Sequence, residues 1–300
     1  MCAERLALYT TIYPGVEPYL AEWFRTVDAQ TDREFDLWIG LDTLSPADVA
    51  AACGRPCTAD WVRAIDATPA EIRSRALETV AEQYAGVILV DSDDLLHPSR
   101  VSAARRMLRE VDVAACALEL LDPDGRPLDV VLAPPAGTDA VELLPRYNVF
   151  GFSNTAYRSA ALRQCLPFPA DCALIDWLLA TRAWSAGATL AFDPTPRMGY
   201  RQHPAGMAPV LPPFGEAQVL AATGRVLAHY DALLDRDWPL PAGPREALES
   251  ERTRVAAFDA AIRHRPELLP EYVDALNRLQ PARVWWWLVA NPKLEAVWNC

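Results

Sequence analysis

Gly86-Val87-Ile88-Leu89-Val90-Asp91-Ser92-Asp93-Asp94 is the stretch that decides how this chain is read. Val87 to Val90 are uninterrupted aliphatic residues, which predicts a short strand buried on both faces, as inside a parallel sheet. The strand ends in a run of acids, and Pro98 is placed to open the next helix. In extended backbone Asp91 and Asp93 point to the same side. Open α/β sheets bind ligands beyond the carboxyl ends of their strands. Two hard oxygen donors at that place suit Mg2+ or Mn2+, which leave coordination positions for phosphate. Capping a helix needs only one acid, whereas the cluster Asp91, Asp93 and Asp94 repels itself unless a cation sits within it.

Working outward, residues 6–12 form a β-rich run, followed by a helix over 16–30 with Tyr19, Leu20, Trp23, Phe24 and Val27 on one face. Strands follow at 35–41, ending at Asp42, and at 61–65; a helix over 69–84 carries Arg73 and Arg75 near its start. This alternation predicts a Rossmann-like sheet with right-handed crossovers. No G-x-G-x-x-G follows the first strand and no Walker motif is present, so a nucleotide would be held by side chains and a metal. Beyond the acids come a helix over 99–109, a strand over 111–121 and a turn at Asp122-Pro123-Asp124-Gly125 with a hairpin partner at 128–132. An extended segment spans 149–157, a helical turn starts at 160–162, a helix covers 173–185 with Asp176 in its first turn, and a strand covers 188–192. Pro194 and Pro196 lead into Tyr200-Arg201-Gln202-His203. The proline-rich stretch 204–213 reads as a linker rather than a cover over the site. Helices are expected at 215–235, 244–264 and 267–279, then a short one containing Trp285, Trp286 and Trp287, read as core plus interface.

The 300 residues suffice for one large α/β domain with a helical appendage, and 51% hydrophobic with 23% charged residues is an ordinary globular balance. A net charge of −12 argues against nucleic acid and against electrostatic attachment to anionic lipid. Lys293 is the only lysine among abundant arginine and alanine, which points to a GC-rich, bacterial coding bias. No secretory leader and no membrane span is expected. The 7 cysteines, with Cys53 and Cys57 as a lone C-x-x-x-C, complete no zinc site and read as reduced thiols of a cytoplasmic protein.

Taken in order, Tyr9-Thr10-Thr11-Ile12-Tyr13 with the later segment 30–37, Asp91-Ser92-Asp93-Asp94, Asp176 at a helix start and Tyr200-Arg201-Gln202-His203 resemble the inverting family-two glycosyltransferases of the GT-A fold. The resemblance covers residues 6–205 and implies a GT-A domain over 1–213, with a nucleotide-binding half (1–94), an acceptor half (95–213) and a helical C-terminal extension (214–300). It implies a nucleoside diphosphate sugar donor held by Thr11, Tyr13, Asp42, Arg73, Arg75, Asp91 and Ser92. It implies Mn2+ or Mg2+ on Asp91, Asp93 and His203, and Asp176 as general base. Asn154 and Trp177 would lie on the side of a hydroxyl-bearing acceptor, whether saccharide, lipid-linked or a small molecule. Ile175 stands where the family commonly has a glutamate beside the base. The C-terminal helices are a candidate homodimer surface, and their tryptophans leave a peripheral contact with the inner membrane as a further option.

Three other readings use the same residues. A non-catalytic sugar-nucleotide binder would keep the acids of the metal site and not need Asp176. A haloacid-type phosphohydrolase requires a nucleophilic Asp on the first strand, which has none, and a nucleotidyltransferase requires a basic Gly-rich loop after it, which is missing.

Overall fold

The computed structural model describes residues 5–63, 67–203, 206, 208–235 and 238–299. In chain order the elements are β1 (Leu6–Ile12), α1 (Glu17–Asp28), β2 (Phe35–Leu41), α2 (Pro46–Cys53), β3 (Asp60–Arg63), α3 (Pro69–Gln83), β4 (Gly86–Leu89) and β5 (Leu95–Leu96). Then come α4 (Arg100–Met107), β6 (Val113–Leu121), β7 (Pro127–Leu132), α5 (Ala140–Leu143), β8 (Thr155–Arg158), α6 (Ser159–Cys165), α7 (Ile175–Ser185) and β9 (Leu190–Arg201). The C-terminal part holds α8 (Glu216–Leu234), α9 (Ala242–His264), α10 (Leu268–Arg278) and α11 (Glu295–Trp298).

Among the described residues one 9-stranded sheet runs in the order β3-β2-β1-β4-β8-β6-β9-β5, with β7 added to β6. The strands β3, β2, β1 and β4 are mutually parallel, as are β6 and β9; β8 enters antiparallel between the two parallel groups. The sheet is therefore mostly parallel and flanked by helices, with the helical C-terminal part following it. All residues of β1 and β4 are buried, which accounts for their unbroken apolar runs. Gly86 lets β4 and β8 meet: a Cβ there would lie 2.6 Å from the Tyr157 carbonyl oxygen. On α1 the buried face is Leu20, Trp23, Phe24 and Val27, the periodic set visible in the sequence.

Several boundaries differ from the sequence reading. The third strand begins at Asp60, and the predicted positions Ile65 and its neighbours lie outside the described residues. Helix α2 has no counterpart in the apolar pattern, although Ser45-Pro46-Ala47-Asp48 carries both halves of a capping box with Pro at N1. The final strand β9 is far longer than expected. It tolerates Pro194 and Pro196 because its register against β6 shifts between Cys116 and Leu118, where ladder bonds are interrupted. Residues 283–290 are not the predicted helix: Asn148 bridges to Trp285, and Trp286 has φ of 68°. Each tryptophan of the run is buried, which one helical face cannot arrange for three adjacent residues.

No helix among the described residues is long and apolar enough to cross a membrane. On α8 to α10 the large apolar side chains turn inward; Leu220 is exposed, at 39%, as an isolated residue.

Candidate active site

The acidic loop after β4 is held by α1, β1 and the end of β9. Trp23 Nε1 of α1 donates to the Asp91 carbonyl at 3.0 Å. Ser92 is fully buried and its hydroxyl donates to the Thr11 carbonyl of β1 at 2.9 Å. Arg201 Nε at the end of β9 donates to the Asp93 carbonyl at 2.8 Å. The Asp94 side chain turns inward, accepting from the Arg201 backbone N–H at 2.8 Å and meeting the Ser153 hydroxyl. Burial, with Asp93 and Asp91 nearby, pushes the Asp94 carboxyl well above the usual carboxylate range. Of the three crowded acids Asp94 is therefore interior, and Asp91 and Asp93 line open space.

That space is a cavity of about 440 Å³. It is lined by Thr11, Tyr13, Asp42, Arg73, Asp91, Asp93, Asp176, Tyr200, His203, Trp285 and Trp286. Thr11 sits where β1 ends; its hydroxyl accepts from Arg73 Nε at 3.2 Å, and Arg73 lies over the Phe152 ring and 3.8 Å from Asp91. Burial, reinforced by Asp93 and opposed by Arg73, pushes the Asp91 carboxyl up to about 7. Tyr13 donates to Asp93 Oδ2 at 3.3 Å. His203 Nε2 lies 2.9 Å from the same oxygen, with its ring against Tyr19.

Asp176, the second residue of α7, is buried enough that its carboxyl is raised above the ordinary value, against the pull of the Trp177 backbone N–H, Arg73 and Asn148. The direction is the one a base for an alcohol requires. Asn148 Nδ2 donates to Asp176 Oδ2 at 2.8 Å.

The sequence-derived residues thus divide. Thr11, Tyr13, Asp42, Arg73, Asp91, Asp93, Asp176 and His203 meet around one cavity. Four others do not line it. Ser92 is the buried strut just described. Arg75 is exposed, since two residues along α3 turn it about 200° from Arg73. Asn154 is buried with its amide nitrogen on the Cys116 and Val149 carbonyls. Trp177 is fully buried, donating to the Leu144 carbonyl and stacked on His229 at 4.1 Å, because its position beside Asp176 in sequence puts it on another helix face.

For a metal, the carboxylates of Asp91 and Asp93, both lining the cavity, suit a hard cation that keeps positions for phosphate oxygens. The full trio with His203 does not form a donor cage in this arrangement: no group of three His, Cys, Asp or Glu among the described residues has metal-holding geometry, and Nε2 is engaged by Asp93.

Sequence reasoning gives Asn148 no role, reads Trp285 and Trp286 as core plus interface rather than cavity lining, and includes Arg201 only as part of the Tyr200–His203 run. Arg201 is buried and also reaches the Pro123 carbonyl, Glu22 at 2.8 Å and the face of Tyr19. The segment 204–213 is more than a linker, since Gly206 and Ala208 border the cavity and the Val210 carbonyl accepts from Trp287 Nε1; Pro204, Ala205 and Met207 lie outside the described residues.

No protein-family model matches the chain, and a search of curated proteins returned no match. Solved structures do match. S. aureus TarS 1-349 in complex with UDP-GlcNAc aligns with a TM-score of 0.58 at 16% identity, over 91% of this chain and 83% of that one. A second structure of TarS 1-349 gives 0.59 at 15% identity over the same shares. The mannosyltransferase PcManGT from Pyrobaculum calidifontis, in complex with GDP-Man and Mn2+, gives 0.58 at 17% identity, over 98% of this chain and 87% of that one. At such identities the likeness is one of fold, and on it the chain has the GT-A architecture that its motifs anticipate.

Proposed function

We propose that this protein is a metal-dependent, inverting glycosyltransferase that moves a sugar from a nucleoside diphosphate donor to a hydroxyl acceptor. The observation that carries the reading is that Asp91, Asp93 and the half-buried Asp176 line one cavity. The neighbours add support, since their structures carry UDP-GlcNAc, or GDP-Man with Mn2+.

In this reading Thr11, Asp42 and Arg73 take the nucleoside end of the donor, and Arg73 stands beside the diphosphate. Asp91 and Asp93 would hold Mn2+ or Mg2+, which neutralises charge on the departing nucleoside diphosphate. Asp176 takes the proton of the acceptor hydroxyl as its oxygen bonds to the anomeric carbon and the bond from that carbon to the diphosphate oxygen breaks. Attack from the face opposite the leaving group inverts the anomeric configuration. Raising Asp176 by burial improves its match to that proton, and Arg201 keeps the acid loop in register with the wall that carries Asp176.

The test is a thermal-shift screen of nucleotide-sugars with and without Mn2+, followed by measurement of nucleotide release with acceptors. A donor that stabilises the protein only with metal, and whose turnover is lost in Asp176→Asn, supports the proposal. Metal-dependent binding with no turnover of any donor would instead favour the non-catalytic binder.

A further inference from the structure

We infer that Asn148 is a positioning residue for Asp176 and that Trp285 of the C-terminal segment holds Asn148 in place, so the C-terminal extension is part of the active site. The inference rests on Asp176 being the base proposed above. Asn148 is fully buried, and its orientation is settled by its partners. Its Oδ1 accepts from the Phe150 backbone N–H at 2.9 Å, so its Nδ2 must be the group facing Asp176 Oδ2, at 2.8 Å. Its backbone carbonyl accepts the Trp285 N–H at 3.1 Å. The Trp285 ring then fills the place of the side chain missing at Gly151, where a Cβ would lie 2.6 Å from the ring. Edge-on contact with Tyr200, at 5.5 Å between centroids, closes the other side of that ring.

A chain of contacts therefore runs from the segment after α10 through Asn148 to the carboxylate. Besides Asn148, the groups around that carboxylate are Arg73 from α3, Asp91 after β4, Tyr157 of β8 and Cys172 before α7. Asn148 is the uncharged side-chain donor among its hydrogen-bond partners, and it fixes the carboxylate without neutralising it. A base held in one orientation is presented to the acceptor hydroxyl in the geometry that transfer requires, a contribution made in the transition state more than in donor binding.

Two full-length variants and one spectrum test this. In Asn148→Leu, kcat for release of UDP or GDP from the nucleotide-sugar found in the screen should fall about tenfold or more, the loss expected for one hydrogen bond to a charged group. Trp285→Leu keeps its backbone N–H but loses the ring seated at Gly151, and its kcat should also fall. In Asn148→Leu, a residue that does not line the cavity, the donor KM and the stabilisation by UDP or GDP with Mn2+ should stay within about twofold of wild type. Equal losses in kcat and donor binding, or no loss in kcat, would overturn the inference. Independently, the Asn148 side-chain amide resonance in the ¹⁵N-labelled protein, assigned by its loss in Asn148→Leu, should move in both Asp176→Ala and Trp285→Leu. An amide signal indifferent to both would overturn it as well. The spectrum reads the Trp285–Asn148–Asp176 chain whether or not transfer occurs, so failure of this inference is distinguishable from failure of the transferase reading.

Discussion

Replacing Asp91 by Asn should make the metal-free protein more stable at pH 8, even though it removes the ion pair with Arg73. The folded protein holds the Asp91 carboxyl at about 7, against an ordinary value of 3.8, because burial and Asp93 oppose its ionisation. At 1.36 kcal/mol per unit, ionising it costs the fold at most about 4 kcal/mol at pH 8. The side chain keeps 30% of its surface in solvent, so roughly 2–4 kcal/mol is the expected range. The sign follows from proton linkage. Because the folded value is the higher one, the folded state binds the extra proton between about pH 4 and 7, and wild-type stability declines across that window and levels off above it. The Asp91→Asn variant has no such proton, so it should lack this part of the decline, and its advantage should vanish below pH 4. Thermal unfolding in chelator-treated buffer reads the difference as a rise of about 4–8 °C at pH 8. With saturating Mn2+ and nucleoside diphosphate the order should reverse, since only the wild type retains both carboxylates. A variant no more stable than wild type at pH 8, or equally stabilised at pH 4, would refute the reasoning.

Three further outcomes follow from the same geometry. Asp176→Asn should lower kcat by about 10²–10⁴-fold while leaving metal-dependent donor binding intact, as read by nucleotide release and calorimetry. Arg73→Ala should weaken donor binding and raise KM, whereas the solvent-facing Arg75→Ala should be silent in both; equal effects would contradict the placement of the two side chains on α3. Gly86→Ala should destabilise the protein by about 1–3 kcal/mol in urea unfolding, because the new Cβ meets the Tyr157 carbonyl at 2.6 Å and backbone must shift to admit it.

What the sequence makes legible is local. Val87–Val90 with its acids, the helical face Leu20, Trp23, Phe24 and Val27, and the hairpin around Asp122–Gly125 each carry their signal within a few residues. Helix α2 is equally legible in its Ser45–Asp48 capping box, but apolar periodicity is blind to so short and alanine-rich a segment. Long-range partners give no such signal. Ser153 reaches Asp91 and Asp94 across about sixty positions, and Arg201 reaches Asp93 across more than a hundred; only the folded chain brings the end of β9 to the acidic loop after β4. Trp177 and Asn154 show that adjacency in sequence to a site residue is not a shared face. The tryptophans at 285–287 carry no helix, because their burial comes from the cavity wall, Gly151 and Phe214.

The central claim is that Asp91 and Asp93 share a divalent cation with a nucleoside diphosphate inside the cavity that Asp176 lines. Crystals grown with Mn2+ and UDP or GDP, recorded at a wavelength where manganese scatters anomalously, test it directly. The account predicts an anomalous peak at about 2.0–2.3 Å from a carboxylate oxygen of Asp91 or Asp93 and from diphosphate oxygens, with the base near Thr11 and Asp42. A nucleotide bound away from these carboxylates, or bound in the cavity with no manganese on them, would contradict it.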